Sequence, residues 1–168
     1  MTDRLRPLTE GELADIVAGA SAPFEVMGTG TKRGLGRPVQ AAQTLDLSGF
    51  DAVHAYEPEE LILEAGAGTL LGVIEKLIDA RGQQLAFEPP DYSRLMGSTH
   101  SGTLGGMLAC NLAGPRRIKS GAARDHVLVE QERVPLGRRR DFGDQGVPAG
   151  ALRRDRLRAQ LDRRRAGL

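Results

Sequence analysis

Residues 26–38, VMGTGTKRGLGRP, constrain the fold of this chain more than any other stretch. Glycine and basic residues at this density read as a phosphate cradle, and the spacing decides which kind. A P-loop requires G-x-x-x-x-G-K-[ST], because its lysine must reach the terminal phosphates and its hydroxyl the magnesium ion. Lys32 follows Thr31 and precedes Arg33, which breaks that pattern. A Rossmann turn requires G-x-G-x-x-G opening a helix. Gly28 and Gly30 fit its first positions, but Arg33 stands at the third and Gly34 comes one residue late. The segment that follows, LGRPVQAAQTLDL, contains Pro38 and no helical period. What survives is a loop between two strands. Gly28 and Gly30 are free to adopt positive φ, successive N–H groups can form an anion-binding nest, Thr31 adds a hydroxyl, and Lys32 and Arg33 add charge. A glycine-rich hairpin with two exposed basic residues fits the same letters, so both readings stand at this point.

The flanking elements are legible from local signals. Thr9-Glu10-Gly11-Glu12 fits a capping box, and Leu13, Ile16, Val17 and Ala20 continue it at helical spacing, predicting a helix over about 10–20. PFEVMG, TLDLSG and AVHAYEP read as short strands, and Leu61, Ile62 and Leu63 begin another. Thr69 is expected to cap an amphipathic helix whose Leu70, Val73, Ile74, Leu77 and Ile78 share a face, with Gly82 ending it. QQLAFEPP adds a last strand. The order β-loop-β-β-β-α-β predicts a mixed α+β fold.

A second glycine cluster, SGTLGGMLACNLAG, occupies residues 101–114. Gly105 and Gly106 precede an apolar stretch too short for a core helix. They allow either close approach of backbone to a flat ligand or a tight junction packed through small residues. His100 in a polar STHS step and His54 in an alternating strand read as surface groups. Cys110, among Leu108, Ala109 and Leu112, reads as a small buried thiol. Asp91 and Tyr92 follow Pro89-Pro90, where turn chemistry and a groove-lining role are equally served.

Composition bounds the rest. Aromatics are 4% with no Trp, so the core rests on Leu, Ile, Val and Ala. No stretch approaches the roughly 18 apolar residues of a membrane span, and MTDRLRPLTE lacks the apolar run of a secretory signal. One cysteine excludes a disulfide framework and a multi-cysteine zinc site. These features predict a cytoplasmic protein. The net charge of +1 conceals two regions: residues 1–128 carry 12 basic against 16 acidic groups, and residues 129–168 carry 11 Arg, no Lys and 6 acids. A run such as RRDRLRAQLDRRR suits a solvated helix laced with ion pairs, a nucleic-acid-binding arm, or the translation of a shifted reading frame.

Together the two glycine clusters resemble the vanillyl-alcohol oxidase (PCMH) type of FAD-binding domain. The segments GRPVQAAQTLDLSG, EPEELILEAGAGTLLGVIEKLIDARGQQLAFEPP, GGMLACNLAGPRR and SGAARDHVLV are similar to the FAD-binding E subunits of bacterial glycolate oxidases. The Ala-Gly-Pro-Arg-Arg step at 113–117 and the Gly-x-x-Arg-Asp step at 121–125 are the most discriminating pieces, and the resemblance covers about residues 4 to 128. It implies the first lobe of such a domain, a small mixed sheet with flanking helices. By position, Gly28, Gly30, Thr31, Lys32 and Arg33 would hold the FAD pyrophosphate. Gly105, Gly106 and Asn111 would lie along the cofactor, and Arg124-Asp125 would begin a second lobe. Some relatives attach FAD through a His in the pyrophosphate loop; this loop has none, so non-covalent FAD is expected. The implied activity is oxidation of glycolate or a related 2-hydroxy acid, beside a second FAD subunit and an iron–sulfur subunit. The resemblance stops after Leu128. Family members continue with a glycine-rich antiparallel lobe, including a K-N-x-x-G-Y-D-like segment, and a cap over the flavin. The expected organisation is therefore a truncated lobe over 1–128 and a disordered or frameshift-derived tail over 129–168, with weak FAD binding and no activity alone. A nucleic-acid-binding role for the tail is the rival, although no nucleic-acid partner follows from the family resemblance.

Overall fold

The computed structural model of the chain describes residues 3–129 and 156–163. Strand β1, Asp3–Leu5, leads into helix α1, Glu10–Ala18. The capping box forms as its spacing requires: the Thr9 hydroxyl accepts the Glu12 N–H at 3.2 Å, and the Glu12 carboxylate accepts the N–H groups of Thr9 at 3.3 Å and Leu8 at 2.7 Å. Strands β2, Phe24–Met27, and β3, Gln43–Asp46, follow. Both β1 and β2 pair parallel with β3, in the order β1-β3-β2.

That direction decides one of the open readings. Parallel neighbours cannot be joined by a tight turn and need a crossover of about a dozen residues or more. Residues 28–42 are this crossover, so the glycine run is not a hairpin. At the far end of β3, the Asp46 side chain is 1% exposed and accepts from Arg4 Nε at 2.9 Å, Arg4 Nη2 at 2.6 Å and the Ser48 N–H at 2.9 Å. Burial pushes its pKa up, but the Ser48 backbone and hydroxyl and the Arg4 guanidinium outweigh it and hold the carboxyl below the ordinary aspartate value.

The second sheet contains β4, Val53–Glu57, β5, Ile62–Gly66, β6, Gln83–Leu85, β7, Val127–Val129, and β8, Arg156–Arg163. Its order is β4-β5-β8-β6, with β7 also on β8. Helix α2, Leu71–Asp79, buries Leu71, Ile74 and Ile78 against it, the i, i+3, i+7 face of an amphipathic helix. Helix α3, Leu104–Ala109, adds Leu104 and Met107, and these residues form one core with Leu63, Leu85 and Phe87. A short helix α4, Arg117–Ser120, and a 3-10 turn at Ala123–Asp125 complete the described residues.

Three expectations are corrected. Thr69 does not cap α2: Leu70 is the cap residue and contributes no side-chain bond, while the Thr69 hydroxyl donates to Ala52 O at 3.3 Å. The first N–H groups of α2 are met from a distant loop, Leu71 by Gly102 O at 2.9 Å and Gly72 by Ser101 Oγ at 3.2 Å. Cys110 is exposed rather than buried, because Leu104 and Met107 turn into the core and Cys110 ends the helix beyond them. The tail is not wholly separate from the lobe. Leu157, Ala159 and Leu161 alternate with Arg158, Gln160 and Asp162, a period of two, and Arg156–Arg163 is a strand rather than a solvated helix. Ala159 and Leu161 are 1% and 3% exposed. The other tail residues lie outside the described set.

Candidate cofactor-binding site

The two glycine clusters, about seventy residues apart in sequence, meet in space. The Thr29 hydroxyl donates to Ser101 O at 3.2 Å. A Cβ on Gly28 would stand 2.6 Å from Thr103 Oγ1, and one on Gly102 would stand 2.5 Å from Lys32 Nζ and 3.3 Å from Thr31 Oγ1. Gly28 therefore requires glycine for the loops to close on each other, while a side chain at Gly102 would displace the Lys32 ammonium. Gly30 has φ +72°, which turns the chain after Thr29. Among the described residues, the N–H groups of Thr29, Gly30, Thr31 and Lys32 donate to no protein acceptor. Four successive free donors beside a cation are the makings of an anion nest.

Lys32 is the charged centre of this junction. Burial lowers its pKa below the ordinary lysine value, and the neighbouring Cys110 and Asp91 oppose that shift. Among the described residues it forms no ion pair within 4 Å. Asp91 is itself held below the ordinary aspartate value, chiefly by the Ser93 N–H at 2.9 Å and the Ser93 hydroxyl at 3.0 Å. Thr31, at 8% exposed, lies in the same junction. Arg33 does not join it. Its guanidinium makes two bonds of 2.7 Å to Glu25 on β2, and its N–H donates to Gly30 O at 3.2 Å. Arg33 thus holds the loop down instead of offering its charge to a ligand.

Gly105 is explained by packing. A Cβ there would stand 2.8 Å from Ala67 Cβ and 2.9 Å from Ala67 O, the same oxygen that accepts the Gly105 N–H at 2.8 Å. Gly106 donates its N–H to the Thr103 hydroxyl at 3.2 Å, the cap of α3. Past the other end of α3, Asn111 takes φ +47° and its Oδ1 accepts the Arg124 N–H at 3.2 Å. Arg124 Nε lies 3.8 Å from Asp125 Oδ1, and Asp125 Oδ2 accepts the Ala122 N–H at 2.8 Å. The candidate residues therefore form two groups at the two ends of α3: Gly28, Thr31, Lys32, Gly105 and Gly106 at one, Asn111, Arg124 and Asp125 at the other. His100 and His54 are exposed, as their settings predict. Ser101 and Gly102, at the start of the second glycine cluster, close the first group; their particular role exists only once the loops meet. Among the described residues no cluster of three or more His, Cys, Asp or Glu is placed to hold a metal, and no helix is long and apolar enough to cross a membrane.

A crossover loop of N–H groups without protein acceptors and a half-buried lysine, backed by a glycine-bearing helix, has the chemistry to receive an anionic, phosphate-bearing cofactor, and the residues present fit the diphosphate of FAD. The chain belongs to the FAD binding domain family, whose model matches residues 4–129. It is 41% identical over 121 residues to the glycolate oxidase subunit GlcE of Escherichia coli (strain K12), covering 72% of this chain and 33% of that protein. Solved structures share the fold. A 6-hydroxy-D-nicotine oxidase from Arthrobacter nicotinovorans matches with TM-score 0.57 and 21% identity over 76% of this chain and 27% of its own. An alkyldihydroxyacetonephosphate synthase matches with TM-score 0.53 and 18% identity over 74% of this chain and 24% of its own. The resemblance read from the glycine clusters is borne out, and the chain spans about a third of the curated relative it matches.

Proposed function

We propose that this chain supplies the pyrophosphate-binding lobe of an FAD-dependent oxidoreductase subunit of the glycolate oxidase kind. The observation that carries the reading is the closure of residues 28–34 on residues 101–106 around Lys32. Gly28 and Gly30 shape the loop, while the N–H groups of residues 29–32, the Thr31 hydroxyl and the Lys32 ammonium hold the diphosphate. Arg33 acts at one remove by fixing the loop to β2 through Glu25. Gly105, Gly106 and Asn111 run along the cofactor, and Arg124 and Asp125 stand where a second lobe would begin. Bound FAD supplies a hydride acceptor, which the oxidation of glycolate or another 2-hydroxy acid to its 2-oxo acid requires. The chain's own residues anchor and orient; none is assigned a proton transfer. The loop has no His to bond the flavin, so FAD is held non-covalently. A second FAD subunit and an iron–sulfur subunit complete the cytoplasmic complex in this reading.

Titration of the purified chain with FAD and with riboflavin, followed by flavin fluorescence, tests the cradle directly. FAD is expected to bind more tightly, since riboflavin lacks the diphosphate. Lys32→Met should weaken FAD by about 10- to 150-fold, the worth of one charge-assisted hydrogen bond, and leave riboflavin unchanged. Equal affinities for the two flavins, or an indifferent Lys32→Met, refute the assignment.

A further inference from the structure

Among the described residues, β8 is the strand whose ladders connect β5, β6 and β7. One edge of β8 pairs with β5, from Ile62↔Gln160 to Gly66↔Arg156. The other pairs first with β7, Val127↔Ala159 to Val129↔Leu157, and then with β6, Gln83↔Arg163 to Leu85↔Leu161. Among the described residues β5, β6 and β7 form no ladder with one another. Lifting β8 out would leave a slot one strand wide, lined by three unpaired edges, which is the geometry that accepts an added strand. The slot is selective by side chain as well as by backbone. Ala159 is 1% exposed and lies in register between Leu63 and Val127, a setting that disfavours a charged side chain; Leu161 is 3% exposed opposite Leu85. Residues 130–155 separate β8 from β7 in the chain, so the strand's place in the sheet is set by its ladders and its buried side chains.

We propose that the lobe is a strand acceptor: the slot between β5 and the β6–β7 edge binds an extended segment antiparallel to all three, residues 156–163 are its occupant, and a strand of the same sequence can replace them in trans. A protease site inserted within residues 130–155 of the full chain allows the test. After cleavage, a fluorescent peptide of residues 154–165 should exchange into the lobe and co-elute with it, and the same peptide carrying Ala159→Asp should compete at least about 100-fold less well, since it would bury an unpaired carboxylate. No uptake of the peptide, or equal competition by the Ala159→Asp form, overturns the proposal. Hydrogen exchange on the uncut chain gives a second reading that needs no variant. The amides of 83–85, 127–129 and 156–163 are expected to open together at a lower free energy than those of 43–46. Exchange of β8 only on global unfolding, or independently of β6 and β7, overturns it equally.

Discussion

Gly105→Ala and Gly11→Ala add the same methyl group to the first turn of two helices, α3 and α1, and are expected to move stability in opposite directions. Around Gly11 no atom lies within 4 Å of the added Cβ. The change there brings only the helix preference of alanine, roughly 0.5–1 kcal/mol, toward its lower end because the site is in the first turn. At Gly105 the methyl would stand 2.8 Å from Ala67 Cβ and 2.9 Å from Ala67 O. These are atoms of the turn that follows β5, and Ala67 O is committed to the Gly105 N–H at 2.8 Å. Relief therefore requires α3 to move off the 66–69 turn and to lengthen that bond. Overpacking of this kind costs about 1–3 kcal/mol, which exceeds the helix gain and leaves a net loss of about 1–2 kcal/mol. For a chain of this size each kcal/mol moves Tm by about 2–4 °C. Urea and thermal melts of the FAD-free protein should show Gly105→Ala lower by on the order of 2–8 °C and Gly11→Ala slightly higher. A Gly105→Ala protein as stable as the parent would mean that the helix and the turn are not in the tight contact described, and the packing account of this glycine would fail.

Three further outcomes follow from the same geometry. Because burial lowers the Lys32 pKa, the unfolded chain binds that proton more tightly, and stability should rise as pH climbs from the lowered value towards the ordinary 10.5; urea melts across pH 8.5–10.5 (a range set by the ordinary lysine value) should show the rise in the parent and lose it in Lys32→Met. Asp46 has the opposite sign, since its depressed pKa contributes stability above about pH 3.9 that is lost as pH falls through the folded value. Asp46→Asn should cost about 2 kcal/mol at pH 7, less than a fully buried pair would because Arg4 is half exposed, and a cost that does not shrink below pH 4 refutes the assignment. Thr103→Ala removes the cap of α3 and should cost about 1 kcal/mol together with some FAD affinity; an unchanged melt would show that the Gly106 N–H finds water instead.

What could be read from the sequence was what depends on neighbours in the chain. The Thr9 capping box, the buried face of α2 and the strand character of PFEVMG each need only a few adjacent residues, and each formed where its letters stand. The direction of β3 relative to β2 needs a partner strand, so the glycine run stayed open between an anion-binding loop and a glycine-rich hairpin until the parallel register Phe24↔Gln43 removed the hairpin. The cap of α2 failed for a similar reason: Thr69 is the right residue type in the right place, but Ser101 and Gly102 reach the same N–H groups from another loop. In the tail, the density of Arg hid an alternation of apolar and polar residues, which the strand pairing of 156–163 and the burial of Ala159 and Leu161 make decisive.

The glycines carry the most instructive difference. From sequence, each is equally a place for a ligand to approach and a place for the chain to pack, because both ask only that a side chain be absent. The structure separates the two uses by what an added Cβ would meet. Gly28 meets Thr103, Gly102 meets Thr31 and Lys32, and Gly105 meets Ala67, so their first requirement is that two loops fit together. The ligand enters the account through what that fit leaves over: unmet N–H groups on residues 29–32 and a lysine drawn partly out of water without a carboxylate within ion-pair distance among the described residues. A partly desolvated charge costs free energy in the unliganded fold, and packing alone offers nothing in return. A dianionic partner such as a diphosphate would satisfy both at once, which is why the anion-binding reading rests on Lys32 and its neighbouring amides and not on the count of glycines.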